Sequence, residues 1–329
     1  MIEIWALILG GLLCLVAGGE LLVRGAVSVA ERLGMSPLVI GLTLVGFGTS
    51  MPELVTSVQA GLSGAPGIAY GNIVGSNIAN ILLIAGVSAL LCPIIVTRQA
   101  LRRDAAVMLG VALLFAGLAS LMPMTRPVGL GMVAALALYI AWVIRQERHS
   151  ASSGAIADKA AALAGLDPSV VPAGAPAAQP SGRLVVSLGI ALAGLVLVVL
   201  GGSLLVSGAV DLARDLGLSE TVIGLTIVAV GTSMPELVTS VVAALRRQGD
   251  VAFGNVVGSN IYNVLGIGGA TALIAPSEVP AQILRLDAPV MVGVSLLLVV
   301  FAATGLRIGR REGGVLLAGY LGYLWLLWP

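Results

Sequence analysis

Two glutamates, Glu53 and Glu236, occupy identical decapeptides, GTSMPELVTS at 48–57 and again at 231–240, each inside a long apolar run. An ionised carboxylate near a bilayer centre costs about 2.5–3.5 kcal/mol even on lenient insertion scales. The structural alternative is a protonated or salt-bridged Glu that ties helices together. No Lys or Arg lies in the middle of any apolar run to pair with it. Two such acids, placed by a duplication, point instead to a pathway for cations. In each copy a Thr-Ser pair precedes Met-Pro-Glu: Thr49 and Ser50 in the first, Thr232 and Ser233 in the second. Proline removes a backbone N–H and frees the carbonyl one turn earlier, which belongs to Gly48 in the first copy. Irregular backbone is tolerated at membrane depth where it lines a polar cavity. Each GTSMPE therefore offers a carboxylate, two hydroxyls and loosened carbonyls. These are hard oxygen ligands, suited to Na⁺ or Ca²⁺ and unsuited to soft metals.

A second motif follows each Glu. GNIVGSNIAN (71–80) is answered by GNVVGSNIYN (254–263). Asn72, Ser76 and Asn80 recur every four residues and share one helix face; Asn255, Ser259 and Asn263 repeat the pattern. Small and polar residues also glue membrane helices together by packing and hydrogen bonds. That role competes most strongly at Asn72, Asn77, Asn255 and Asn260. Ser76, Asn80, Ser259 and Asn263 are the better ligand candidates.

The elements that must carry these motifs are membrane helices. Hydrophobic residues make up 58% of the 329 and charged residues only 10%, against about a quarter charged in a soluble domain. Mean hydropathy is +1.07. A net charge of +1 argues against a nucleic-acid partner. Cys14 and Cys92 both lie in apolar runs and read as buried, inert thiols. Apolar stretches of about 20 residues are expected near 4–23, 36–60, 70–91, 105–122, 127–144, 184–206, 219–245, 253–275, 287–306 and 313–328. The Ala-, Ser-, Pro- and Gly-rich stretch 150–182 reads as a linker with one short helix near 156–165. It separates a first five-helix repeat (1–149) from a second (183–329).

The halves match at a constant offset of 183, with 16 of 20 positions identical between 41–60 and 224–243. An odd number of spans per half sends the second copy into the membrane from the opposite side, the inverted repeat of secondary transporters. With the N-terminus outside, 14 of the 17 basic residues fall on inner loops, and only Arg126, Arg214 and Arg285 on outer ones. The expected fold is an all-α membrane protein of ten transmembrane helices in two inverted five-helix repeats. Both termini lie outside and the linker lies in the cytoplasm. Glu20 and Arg24 read as a local ion pair, and Tyr323, Trp325 and Trp328 as an interfacial aromatic belt.

The paired GTSMPEL and GSN-x-x-N motifs resemble the alpha repeats of the calcium/cation antiporter superfamily, within it the prokaryotic sodium/calcium exchanger branch. The resemblance spans most of the chain outside the linker. It implies that Glu53 and Glu236 ligate Ca²⁺ with the backbone carbonyls of Thr49 and Thr232. It further implies Na⁺ sites that use Ser50, Ser233, Ser76 and Ser259, carbonyls at Gly46 and Ala229, and Asn80 and Asn263 lining the centre. Asn263 departs from the family, whose sodium/calcium exchangers carry Asp there. Two carboxylates balance one Ca²⁺ or two Na⁺; a third Na⁺ would leave a positive charge uncompensated. Either water screens that charge, or Asn mimics an Asp that stays protonated in the relatives, or the coupling differs.

The expected activity is a Ca²⁺/Na⁺ antiporter working by alternating access in a bacterial-type inner membrane. Spans 1 and 6 would slide across a core of spans 2, 3, 7 and 8, with Gly18–Gly19 and Gly201–Gly202 as smooth faces. Ca²⁺/H⁺ antiport is the alternative, disfavoured by the Thr-Ser pair that proton-coupled relatives lack. A channel fits less well, because a pore usually needs a multi-subunit ring. An enzyme fits least, with a single His and no nucleophile–base set. No cofactor and no protein partner is implied beyond the transported ions and the lipid bilayer.

Overall fold

The computed structural model describes residues 2–32, 48, 50–147, 184–245 and 249–327. The linker 150–182, with its expected short helix, lies outside the described residues, as do Gly46 and Thr49. The helices in chain order are α1 (Ile2–Arg32), α2 (Met51–Leu62), α3 (Pro66–Leu91), α4 (Ala100–Leu121), α5 (Arg126–Glu147) and α6 (Leu184–Leu216). They continue as α7 (Glu220–Thr232), α8 (Met234–Leu245), α9 (Val251–Ile274), α10 (Ile283–Ala303) and α11 (Arg310–Leu327). Seven helices among the described residues are long and apolar enough to cross a membrane, or eight if the bent pair α7–α8 is one span. Ten were expected. Most of the second span, 36–60, precedes the described part of α2. The last helix carries Arg310, Arg311 and Glu312 in its first turn, which shortens its apolar length.

Burial separates an inner pair from an outer shell. In α3 and α9, 83% of the apolar span is buried inside the protein, against 22% in α6. Large apolar side chains such as Leu13 and Leu138, each 72% exposed, cover the outside as lipid-facing residues do. The inner helices α3 and α9 therefore position the site, and both carry the GSN-x-x-N motif. In each, the α-helix gives way to a π-helical stretch where that motif ends, at Asn80–Ala85 and at Tyr262–Gly268. Such wide turns rotate every later side chain and are frequent at functional sites.

The outer helices α1 and α6 pack face to face through glycines spaced seven apart, Gly11, Gly18 and Gly25 against Gly194, Gly201 and Gly208. Seven residues are close to two helical turns, so each set returns to one face. A Cβ added at Gly18 would stand 2.7 Å from the Val198 nitrogen, and one at Gly11 would stand 2.7 Å from the Leu205 nitrogen. Only a bare backbone fits there. Gly11 meets Leu205 whereas Gly18 meets Val198, so the two helices run antiparallel. Gly18 and Gly201 thus bind α1 to α6 and are not part of a sliding face. Their neighbour Gly202 does face the core, where a Cβ would meet Val55 of α2 at 2.7 Å.

The halves also clasp each other at two short bridges. Ile94–Ile95 pairs antiparallel with Arg307–Ile308, and Met124 pairs with Ser277. An offset of 183 carries 94 to 277 and 124 to 307, so the two clasps use corresponding loops with the halves exchanged. Two smaller readings change. Cys14 and Cys92 are free but only partly buried. Trp325 is 80% exposed, as an interfacial residue should be, but Tyr323 is 5% exposed and points into the protein. Trp328 lies outside the described residues.

Candidate functional site

The second GTSMPE stretch is a helix break, and the described part of the first matches it. The break falls at the serine and not at the proline. Ser233 (φ −83°, ψ 9°) ends α7, and α8 leaves at a bend of 49°. Ser50 (φ −88°, ψ 9°) precedes α2 in the same conformation. Pro52 and Pro235 sit at the second position of the new helix, where a backbone N–H needs no intrahelical partner. The expectation that proline itself opens a continuous helix is corrected accordingly. The serine carbonyls start the new helices, accepting from Leu54 and Leu237 at 3.0 Å each. The Ala229 carbonyl accepts the Ser233 N–H at 3.1 Å and the Thr232 hydroxyl at 3.3 Å, so it is engaged in its own turn.

This geometry puts Glu53 and Glu236 in the first turn of a half-helix. The free N–H groups and the positive dipole end there favour a negative charge. Both carboxylates are 1% exposed. Ser50 makes no side-chain cap to its own helix. Ser233 donates to Glu53 Oε1 at 2.9 Å, and Ser50 donates to Glu236 Oε1 at 3.3 Å. Each carboxylate is therefore held by the hydroxyl three residues upstream of the other one, across the two halves. The two motifs thus meet across the halves.

The second motif supports that site from α3 and α9. Asn72 Nδ2 donates to the Glu53 carbonyl at 3.1 Å and to Ser57 Oγ at 2.9 Å. Asn255 Nδ2 does the same for the Glu236 carbonyl at 3.2 Å and Ser240 Oγ at 2.7 Å. Asn72 Oδ1 accepts from Thr232 at 3.0 Å and from Ser76 at 3.4 Å. Asn72 thereby links the first-half Glu to the second-half Thr. Asn80 Nδ2 donates to Asn260 Oδ1 at 3.0 Å, and Asn260 donates to the Asn77 carbonyl at 3.4 Å. Ser259 is buried on α9. Asn263, 1% exposed, makes no hydrogen bond from either amide atom. Asn80 Oδ1 and Asn255 Oδ1 are also buried without a donor.

A buried amide oxygen without a donor costs about 1–3 kcal/mol. Carboxylates, hydroxyls and amide oxygens of this kind are hard donors that a cation would satisfy. Ca²⁺ takes six to eight oxygens at roughly 2.3–2.6 Å, and the residues present supply that kind of set. Among the described residues no group of three His, Cys, Asp or Glu exists to hold a softer metal. Hydrogen bonds join Glu53 to Ser233, Glu236 to Ser50, and both Thr232 and Ser76 to Asn72. The structure leaves Asn263 buried beside no bonding partner, and Thr49 and Gly46 fall outside the described residues.

Two features escape a reading of the sequence. Asn72 and Asn255 look like helix glue, yet each holds the backbone of the Glu; the shared 19-residue spacing from Glu to Asn was the available signal. The two glutamates are also not the only buried acids. Asp104 and Asp287 are both 0% exposed and lie 183 residues apart. Asp104 Oδ1 accepts from Arg103 Nε at 2.7 Å and from Tyr139 OH at 2.9 Å. Asp287 Oδ1 accepts from Tyr323 OH at 2.8 Å. Both stand near helix starts, where they pin α4 to α5 and α10 to α11. As foreseen, Glu20 and Arg24 form an exposed ion pair one helical turn apart.

Comparison with known proteins bears on the same residues. A model of the sodium/calcium exchanger protein family matches 3–145 and 186–328, one stretch in each half. The sodium/calcium exchanger MaX1 of Methanosarcina acetivorans is 38% identical over 342 aligned residues, covering 98% of this chain and 97% of the relative. The inner membrane protein YrbG of Escherichia coli is 32% identical, covering 98% and 96%. Among solved structures, the sodium-calcium exchanger NCX_Mj soaked with Na⁺ and Sr²⁺ superimposes with a TM-score of 0.63. Its identity is 32% and the match covers 98% of both chains.

Proposed function

The chain belongs to the sodium/calcium exchanger family, and from that premise we propose that Glu53 and Glu236 form its transport site. It is a multi-pass membrane protein of the bacterial-type inner membrane and exchanges Ca²⁺ for Na⁺. The observation that carries the site assignment is the reciprocal tie between the halves, Ser233 to Glu53 and Ser50 to Glu236. One carboxylate cannot neutralise Ca²⁺. Two carboxylates, each tied to the opposite half by a serine, can balance one Ca²⁺ or two Na⁺. The ligand set comprises the two Glu, the hydroxyls of Ser50, Ser233, Ser76 and Ser259, and Thr49 and Thr232. Carbonyls at Gly46 and Ala229 and the amides of Asn80 and Asn263 complete it. Ala229 would have to relax its turn to contribute.

Exchange follows from mutual exclusion. Na⁺ and Ca²⁺ compete for the same oxygens, so one ion leaves as the other enters. An empty site bearing two buried negative charges resists changing face, whereas a filled one is near neutral and can cross. The ten spans form two inverted repeats with both termini outside. The interlocked α1–α6 pair moves as a unit across the core that contains α2, α3, α8 and α9. The antiparallel α1–α6 packing and the exchanged clasps support that arrangement.

Purified protein in sealed vesicles tests this reading. Radioactive Ca²⁺ should accumulate under an imposed Na⁺ gradient and not under a pH gradient. Glu53→Gln and Glu236→Gln should each abolish accumulation with expression intact. Near-normal exchange in both variants refutes the site assignment. Uptake driven by the pH gradient alone refutes Na⁺ coupling, and passive equilibration indifferent to both gradients refutes antiport.

A further inference from the structure

A basic cavity of about 800 Å³ opens where the start of α4 meets the end of α5, away from the glutamates. Arg98, Arg102, Arg103, Arg145, Trp142 and Gln146 line it. Its floor is built. Arg103, with a side chain 5% exposed, donates to Asp104 Oδ1 at 2.7 Å and to Gln146 Oε1 at 2.9 Å. Those bonds use the Arg103 charge and fix α4 against α5. Arg98, Arg102 and Arg145 stand exposed above it, and among the described residues no carboxylate pairs with any of them. Three like charges around one cavity repel unless an anion sits between them.

The second half shows that the fold does not need them. At the offset of 183, Arg98, Arg103 and Arg145 correspond to Ala281, Leu286 and Trp328; only Arg102 has a basic counterpart, Arg285. The aromatic residue is kept, as Trp142 and Trp325. Helix ends of this kind thus form without the arginines, and the charge cluster belongs to one face of the protein. The loop bias places that face toward the cytoplasm.

We propose that this cavity binds the phosphate headgroup of an anionic phospholipid in the cytoplasmic leaflet. The approach to it favours a lipid. Leu138, Trp142 and Arg145 recur at four and three residues along one face of α5, and Leu138 is 72% and Trp142 43% exposed. An acyl chain can lie along Leu138, the indole marks the interface, and the phosphate meets the arginines. Guanidinium groups pair with phosphate oxygens in a two-pronged geometry, and basic pockets between transmembrane helices on the cytoplasmic side suit such headgroups.

The full chain, purified and incorporated into phosphatidylcholine nanodiscs with a minor fraction of phosphatidylglycerol, tests the assignment by native mass spectrometry of retained lipid. Wild type should retain phosphatidylglycerol in preference to phosphatidylcholine. The triple variant Arg98→Gln, Arg102→Gln, Arg145→Gln should weaken that retention roughly tenfold or more. The milder pair Arg98→Gln, Arg145→Gln leaves Arg102 in place and should give an intermediate loss. Arg310→Gln with Arg311→Gln, basic residues in the first turn of α11, should retain the lipid like wild type. Excess inorganic phosphate should not displace it. Equal retention in wild type and both cavity variants overturns the proposal, as does equal loss in the Arg310/Arg311 variant. Displacement by inorganic phosphate overturns the choice of a lipid.

Discussion

Gly10 and Gly11 are neighbours on α1, and alanine at the two positions should have opposite effects. A Cβ at Gly10 meets nothing within 4 Å. Helix propensity then favours Ala over Gly by up to about 1 kcal/mol. A Cβ at Gly11 would stand 2.7 Å from the Leu205 nitrogen and 2.8 Å from the Gly201 carbonyl oxygen, where ordinary contact begins at 3.4 Å. Both obstacles are backbone, so no rotamer change relieves them. The helices α1 and α6 must part by about 0.7 Å, the difference between 3.4 and 2.7 Å. A gap of that size forfeits roughly a quarter to a half of the dispersion energy at each contact along the seam. Overpacking of this kind costs about 1–3 kcal/mol. The two variants should thus differ by about 2–4 kcal/mol, or ~3–6 °C in melting temperature for a chain of 329 residues. Thermal melting of the detergent-purified protein, followed by tryptophan fluorescence, reads the difference. A Gly11→Ala variant that melts at or above Gly10→Ala would refute the interlocked seam.

The reciprocal ties make Ser50→Ala and Ser233→Ala equivalent. Each should raise the Ca²⁺ concentration for half-maximal exchange by roughly tenfold, about the worth of one hydrogen bond to a charged group; a silent variant beside a damaged one contradicts the reciprocity. Asn263→Asp adds a third carboxylate to a site that holds two, so Na⁺ dependence should steepen and the charge moved per Ca²⁺ should change, as measured by vesicle current. Arg103→Ala leaves Asp104 buried without its cation and should cost about 3–5 kcal/mol, seen as lost folded protein on size-exclusion chromatography. Replacing both residues with leucine should recover most of that stability.

The repeat, the helical membrane class and the two glutamates were legible because they depend on composition and on an exact internal copy. The partner of each glutamate was not. The sequence puts Ser50 beside Glu53 and Ser233 beside Glu236, yet each serine serves the other acid. Which half supplies a hydroxyl is decided by how two broken helices meet, and no spacing records that. The proline misled for a similar reason. It marks a break but occupies the first turn of the new helix, so the bend itself falls at the serine. The burial of Asp104 and Asp287 has no local signature, because their tyrosine partners lie 35 and 36 residues further on. The π-helical turns after Asn80 and Tyr262 leave no periodic signature in so short a stretch.

Equilibrium binding of radioactive Ca²⁺ to the purified protein tests the shared site most directly. One Ca²⁺ per chain should bind, Na⁺ should displace it completely, and either Glu53→Gln or Glu236→Gln should remove it. Ca²⁺ that stays bound at saturating Na⁺, or that still binds when either carboxylate is gone, would contradict a single site held jointly by the two halves.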